Sequence, residues 1–374
     1  VAGYATGWRR GALMNANPLL GLKALGQHVW LDNLSRSLLR EGGLQRLINE
    51  DGVDGVTSNP AIFAKALADS PYYAEDLEGL RSKGLGAEAC YEALVIADIR
   101  AACAMLQPVF TSSQGEAGYV SLEVSPVLAD DMGGTVAAAH RLSRAVGRDN
   151  LLIKVPATPA GLKAFEQLTA DGIKVNVTLI FSLSQYEATL QAYLSGARRW
   201  LSEGGSADRL RSVASVFISR IDSLVDQRLA DGAGMGAEML LGKTGIALAR
   251  LCYQRYLEVF HGADFAALGQ AGVRPQTPLW ASTGSKNPAY GDVLYVEALI
   301  GPASINTMPE LTLAVFRDHG RVSLSLASDA DAAARHVGAL AGLGIDLNQL
   351  GQTLQEDGVR LFVEAYQKIL NGLG

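Results

Sequence analysis

Eight short β-rich runs recur along this chain, each ending in polar or turn residues and each followed by a longer stretch of helical period. They are His28–Leu34, Gly55–Pro60, Tyr119–Val124, Leu151–Pro156, Lys174–Phe181, Ser212–Ser219, Leu279–Thr283 and Ala303–Thr307. Mostly apolar strands alternating with helices predict a parallel sheet covered by helices, and eight such units predict closure into one (β/α)8 barrel, a TIM barrel. The helical candidates are Gly86–Leu106 (stopped by Pro108), Ala129–Val146, Gly161–Ala170, Ser184–Leu201, Ile221–Leu229, Ala237–Phe260 and Asp292–Leu299, and a C-terminal helix, Leu347–Leu370, closes the chain. The long gaps after the second and sixth runs predict inserted helices. An open doubly wound sheet is the competing α/β architecture, but its Gly-rich phosphate loop has no counterpart here. Gly42-Gly43, Gly133-Gly134 and Gly204-Gly205 read as turns and helix ends.

No linker rich in Pro, Gly or Ser divides the 374 residues, so residues 14–374 read as a single barrel with additional helices. Residues 1–13, with Trp8-Arg9-Arg10-Gly11, look unrelated to the rest of the chain and read as a leader, introduced by cloning or translated from upstream, ahead of an ordinary start at Met14. Neither a secretion signal nor an apolar run near the ~20 residues that span a bilayer is evident, which predicts a cytoplasmic protein without a membrane partner. The net charge of −6 argues against a nucleic-acid surface, so an anionic substrate has to be held by a few local cations. Cys90, Cys103 and Cys252 lack metal or redox spacing and fit a reduced protein. His28 and His140 fall in strand-start and helical settings and read as structural. With no His/Cys/carboxylate cluster at ligand spacing, neither metal nor organic cofactor is expected.

The C-terminal edge of a parallel barrel carries its chemistry, and each strand here delivers polar residues to that edge. The fourth is the most unusual, because Lys154 interrupts the apolar run Leu151-Leu152-Ile153-Lys154-Val155-Pro156. A desolvated lysine loses part of its preference for the protonated form, and a neutral amine adds to a ketone to give a Schiff base; a lysine that snorkels outward or pairs with a carboxylate is the plainer alternative. Around it stand Asp32 on the first strand, Thr57-Ser58-Asn59-Pro60 after the second, Glu123 on the third, and Asn176 and Thr178 two apart on the fifth. Ser215 and Arg220 belong to the sixth, and Ser282-Thr283-Gly284-Ser285-Lys286-Asn287 comes after the seventh. Singly, each suits a cap or a turn. Together they suggest amine catalysis on a ketose, with a carboxylate moving protons and Arg220 and Lys286 binding a phosphate.

These residues resemble the transaldolase family over a stretch from about Asn17 to the C-terminus. Leu152-Ile153-Lys154-Val155-Pro156-Ala157-Thr158 is similar to the family's Schiff-base strand, Gly55-Val56-Thr57-Ser58-Asn59-Pro60 to its T-S/T-N-P segment, and Asn176-Val177-Thr178-Leu179 to its N-x-T-L segment. The resemblance implies Lys154 as nucleophile, Asp32 as the main proton-transfer residue, and Glu123 and Thr178 holding the catalytic water. It implies Asn59 and Asn176 on the dihydroxyacetone part of the sugar, with Ser215, Arg220 and Lys286 on the phosphate. The short form of the family has Arg where Lys286 stands, which keeps the charge but loses a bidentate fork. Length, inserted helices and Trp30-Leu31-Asp32-Asn33 look closer to the longer bacterial branch, some members of which are fused to glucose-6-phosphate isomerase; a chain ending after one barrel is expected to lack that fusion. The implied reaction moves a dihydroxyacetone unit from sedoheptulose 7-phosphate or fructose 6-phosphate to an aldose phosphate, as part of the pentose phosphate pathway, in a monomer or homodimer. The rivals are a fructose-6-phosphate aldolase that releases free dihydroxyacetone and a non-catalytic sugar-phosphate binder. Asp32 and the insertions favour transfer over the first, and the set Lys154, Asp32, Glu123 and Thr178 argues against the second.

Overall fold

The computed structural model describes residues 17–232 and 237–373. The proposed leader, residues 1–13, lies outside them. Strands β1 (Gln27–Asp32), β2 (Gly55–Thr57), β3 (Tyr119–Glu123), β4 (Leu151–Pro156), β5 (Val175–Ile180), β6 (Ser212–Phe217), β7 (Thr277–Ala281) and β8 (Ser304–Met308) close in sequence order into a parallel barrel. Each of the eight expected runs overlaps a strand. Alternation along each strand divides its side chains between two cores. Leu31, Val56, Val120, Ile153, Val155, Val177 and Val216 face outward into the layer shared with the helices, whereas Trp30, Tyr119, Leu152, Val213, Leu279 and Ile305 fill the barrel interior. Gly55 is what lets the Trp30 indole lie across that interior, since a Cβ on it would stand 2.3 Å from the ring.

Several helix boundaries differ from expectation. Pro108 does not stop its helix, which runs Ala87–Ser112. Pro108 lacks the amide that would bond the Ala104 carbonyl, yet the helix continues for another turn, its face held in the core by Ile99, Ala102, Cys103 and Leu106. The expected Ala237–Phe260 helix is a 3-10 turn, Ala237–Leu240, and a separate helix, Thr244–Phe260, parted at Gly242 with φ +68°. The helix expected from Ala129 starts at Met132 because Asp131 caps it, accepting from the Gly134 amide. The insertion after β2 forms three helices, Pro60–Asp69, Ala74–Ser82 and Ala87–Ser112; that after β6 forms Ser219–Gly232, Thr244–Phe260 and Ala263–Gln270.

The Ala87–Ser112 helix also corrects the membrane reading, because by length and composition it meets the requirement for a span. In the fold it buries Ile99, Ala102, Cys103 and Leu106 in the outer core, and its Asp98 is buried and paired with Arg36 at 2.9 Å. His28 and His140 each pair with an aspartate, Asp54 and Asp171, at 2.7 Å. The three cysteines are buried and unpaired.

Candidate active site

Strand register builds the site. Asp32 stands beside Thr57, Glu123 beside Lys154, and Lys154 beside Asn176, so parallel neighbours bring these side chains to one height inside the barrel. On β4 the interior positions are Leu152 and then Lys154, which is why an apolar strand ends in an inward amine. Lys154 is only 4% exposed. Its Nζ donates to the Ser58 carbonyl at 3.1 Å and to Glu123 Oε2 at 3.3 Å.

Above this layer is a cavity of about 300 Å³, lined by Asp32, Thr57, Asn59, Lys154, Thr178, Ser215, Arg220, Lys286 and Thr307 among others. Seven of the nine residues singled out from sequence therefore line one space. Glu123 is the eighth, reaching Lys154 from the side with a side chain 6% exposed. Asn176 does not line the cavity and is engaged on both ends, its Nδ2 donating to Ser121 Oγ at 3.0 Å and its Oδ1 accepting from Ser215 Oγ at 2.7 Å. It thus orients Ser215, which does reach the cavity.

The carboxylates are poised by opposing effects. Burial pushes Asp32 above its ordinary value of 3.8, against the pull of Lys154, of the hydrogen bond from Thr57 and of Lys286 and Arg220. Thr57 Oγ1 gives that bond at 2.8 Å and meets Thr307 Oγ1 at 3.0 Å. Burial likewise raises Glu123 above 4.5; Lys154 opposes the rise and the Asp32 charge adds to it. Two carboxylates that resist ionisation beside one amine are suited to exchanging protons with it and with a bound substrate. Thr178 is fully buried, and its Oγ1 has no protein partner, which leaves a hydroxyl available to a substrate or water at the amine.

Arg220 and Lys286 follow β6 and β7, across the barrel from β2 and Asn59. Arg220 begins the Ser219–Gly232 helix, is half-buried, and lies 5.5 Å from the Phe217 ring; burial lowers its pKa. Lys286 is exposed on the loop after β7. That loop starts at Ser282 in the left-handed region, φ +58°, where the Ser282 and Ser219 hydroxyls meet at 2.9 Å and the Ser219 amide donates to the Ser282 carbonyl at 3.1 Å. Further along, Tyr290 donates to Asp226 Oδ2 at 2.6 Å, anchoring the loop to the helix that carries Arg220.

Among the cavity residues that escaped the sequence reading, two come from helices. Lys65 sits two turns into the Pro60–Asp69 helix, beyond the strand end. Phe362 comes from the C-terminal helix, Leu347–Leu373, where an apolar residue at helical spacing reads as ordinary core. Among the described residues no group of three or more His, Cys, Asp or Glu could hold a metal ion.

A closed (β/α)8 barrel with a buried lysine between carboxylates at its C-terminal mouth and cations on the rim has the form of an amine-catalysing, Schiff-base barrel enzyme. The family model described as Transaldolase/Fructose-6-phosphate aldolase matches residues 29–373, and the chain belongs to that family. It is 52% identical to a transaldolase of Thiobacillus denitrificans over 94% of this chain and 98% of that protein. It is also 47% identical to a transaldolase of Neisseria gonorrhoeae, with the same shares covered, and 40% identical to transaldolase 2 of a Nostoc species over 96% and 97%.

Proposed function

We propose that this chain is a transaldolase working through Lys154. It transfers a dihydroxyacetone unit between sedoheptulose 7-phosphate with glyceraldehyde 3-phosphate and erythrose 4-phosphate with fructose 6-phosphate. The observation that carries the reading is the Lys154 amine, 4% exposed and 3.3 Å from Glu123, on the wall of a cavity shared with Asp32 and rimmed by Arg220 and Lys286.

In this reading the Lys154 amine adds to the ketose carbonyl, and the carbinolamine loses water to give an iminium ion. Glu123 and Thr178 hold that water. Asp32 takes the proton from the hydroxyl on the β carbon, the bond between the α and β carbons breaks, and its electrons pass to the iminium nitrogen. An aldose phosphate leaves, and the three remaining carbons stay on Lys154 as a neutral enamine. An acceptor aldehyde reverses these steps, with Asp32 returning the proton to the aldehyde oxygen. Asn59 binds the dihydroxyacetone hydroxyls, and Asn176 acts through Ser215. Arg220 and Lys286 hold the phosphate at a fixed reach from the amine, so binding energy at one end of the sugar orients the carbonyl at the other.

Borohydride reduction in the presence of fructose 6-phosphate, with peptide mass analysis of the product, tests the proposal. A reduced dihydroxyacetone adduct on Lys154 is expected, and no adduct at any lysine refutes the mechanism. Free dihydroxyacetone formed as fast as transfer product would assign the chain to the aldolase reaction instead.

A further inference from the structure

The far end of the chain supplies the cover of the site. Phe362 lines the same cavity as Lys154, and its ring centroid lies 5.8 Å from Nζ. The ring is 5% exposed and belongs to the interior cluster with Leu179 and Phe217. Its height over the amine is fixed by polar as well as apolar contacts. Gln355, two turns earlier on the same helix, donates through Nε2 to the carbonyls of Ala157 and Leu179, both at 2.9 Å. Those carbonyls lie at the ends of β4 and β5, the strands that carry Lys154 and Thr178. Gly358 rests on Leu179, where a Cβ would come within 2.9 Å of Cδ2.

We propose that Phe362 sets the partition between transfer and hydrolysis by keeping water off the dihydroxyacetone adduct on Lys154. The proposal rests on the Schiff-base reading. Once the aldose has left, the enamine has two fates. In transfer, its α carbon bonds to the acceptor's carbonyl carbon, and the acceptor oxygen takes a proton. In hydrolysis, the α carbon takes the proton itself and water adds to the resulting iminium carbon. The carbon–nitrogen bond then breaks, freeing dihydroxyacetone and returning the Lys154 amine. Neither fate needs an oxidant or reductant, and they differ in whether water reaches the adduct before the acceptor does. A buried ring placed against the amine occupies space that water would otherwise fill during that interval. Apolar bulk is the property required, so another large apolar side chain is expected to serve in its place.

The test compares the unaltered enzyme with Phe362→Ala, Phe362→Val and Phe362→Leu. Dihydroxyacetone release from fructose 6-phosphate alone is measured against transfer to erythrose 4-phosphate, with thermal melts to confirm folding. The release-to-transfer ratio is expected to rise on the order of tenfold in Phe362→Ala, less in Phe362→Val, and little in Phe362→Leu. Phe362→Val keeps the comparison open where the alanine variant does not fold. A ratio that stays constant while both rates fall makes the ring a packing residue and overturns the proposal, as does a leucine variant as leaky as the truncated ones. Absence of a borohydride adduct on Lys154 in the unaltered enzyme removes the proposed function itself; an adduct with an unchanged ratio removes this inference alone.

Discussion

Replacing Asp222 by Asn separates a buried charge from the geometry it holds. Asp222 lies one residue past Arg220's neighbour Ile221, is 1% exposed, and accepts from the Gly245 amide at 2.8 Å, tying the helix that carries Arg220 to the start of the Thr244–Phe260 helix. Burial pushes its pKa from 3.8 to about 6, with the Asp226 charge adding and the Gly245 amide and Tyr295 hydroxyl opposing. The folded state therefore binds this proton more tightly than the unfolded chain. The stability it contributes is fully present below pH 3.8 and is lost as pH rises through about 6. At about 1.36 kcal/mol per pH unit, the loss amounts to ~3 kcal/mol near neutrality. An asparagine oxygen still accepts from Gly245, and the charge assistance it lacks is already contained in the net pKa shift. The variant is thus expected to be ~3 kcal/mol more stable than the unaltered protein near neutral pH and about as stable as it in acid, where Asp222 is itself neutral. Urea midpoints and slopes for both proteins from about pH 3.5 to about pH 7.5 measure the difference directly, and other titrating groups cancel in it. A stability gap that does not move with pH, or that favours the unaltered protein at neutrality, refutes the reasoning.

Lys154→Met is expected to abolish both turnover and borohydride trapping. It also leaves Glu123 buried without its cation, so its stability loss should shrink in acid, where that carboxyl takes a proton; trapping at full yield would contradict the assignment. Lys286→Ala should raise the Michaelis constant for phosphorylated donors several-fold with little change in kcat, since it removes binding common to ground and transition states; an unchanged constant takes Lys286 out of the phosphate site. Tyr290→Phe deletes the hydroxyl that holds the Lys286 loop to Asp226 and should give a smaller shift of the same kind; a kcat loss at constant KM would argue against loop anchoring. Asp32→Asn removes a carboxyl whose raised pKa makes its ionisation costly to the fold. It should lower kcat by orders of magnitude while raising the melting temperature at neutral pH, an advantage that disappears as pH falls toward 3.8; equal melting temperatures across pH would show that the carboxylate carries no folding penalty.

The strand ends were readable in sequence because a parallel barrel converts order along the chain into position around a ring. Asp32, Asn59, Glu123, Lys154, Thr178, Ser215, Arg220 and Lys286 each fall at or just after a strand end, and the closed sheet gathers them. Depth within the ring was not readable. Asn176 and Thr178 share a face of β5, yet one is tied between Ser121 and Ser215 while the other reaches the cavity. Thr178 stands two residues nearer the C-terminal edge, and Asn176 is met by Ser121 and Ser215 of other strands. Residues delivered by helices were hidden for another reason. Lys65 and Phe362 have the spacing of ordinary surface and core positions, and only the docking of their helices turns them to the site. Pro108 read as a stop because the chain alone does not reveal the core packing that carries the Ala87–Ser112 helix through it.

The bonds from Gln355 to Ala157 and Leu179 close loops of 198 and 176 residues. Neighbouring β/α units can assemble from contacts close in sequence, whereas this closure draws together segments separated by half the chain, at an added entropic cost of roughly 1–2 kcal/mol. The C-terminal helix, the last element of the fold, is therefore expected to detach as a unit in partial openings while the barrel stays folded. Its amides should exchange with deuterium through such partial openings, and substrate bound beneath Phe362 should slow them. A Schiff-base lysine 4% exposed in the closed state would then meet solvent on the timescale of that detachment.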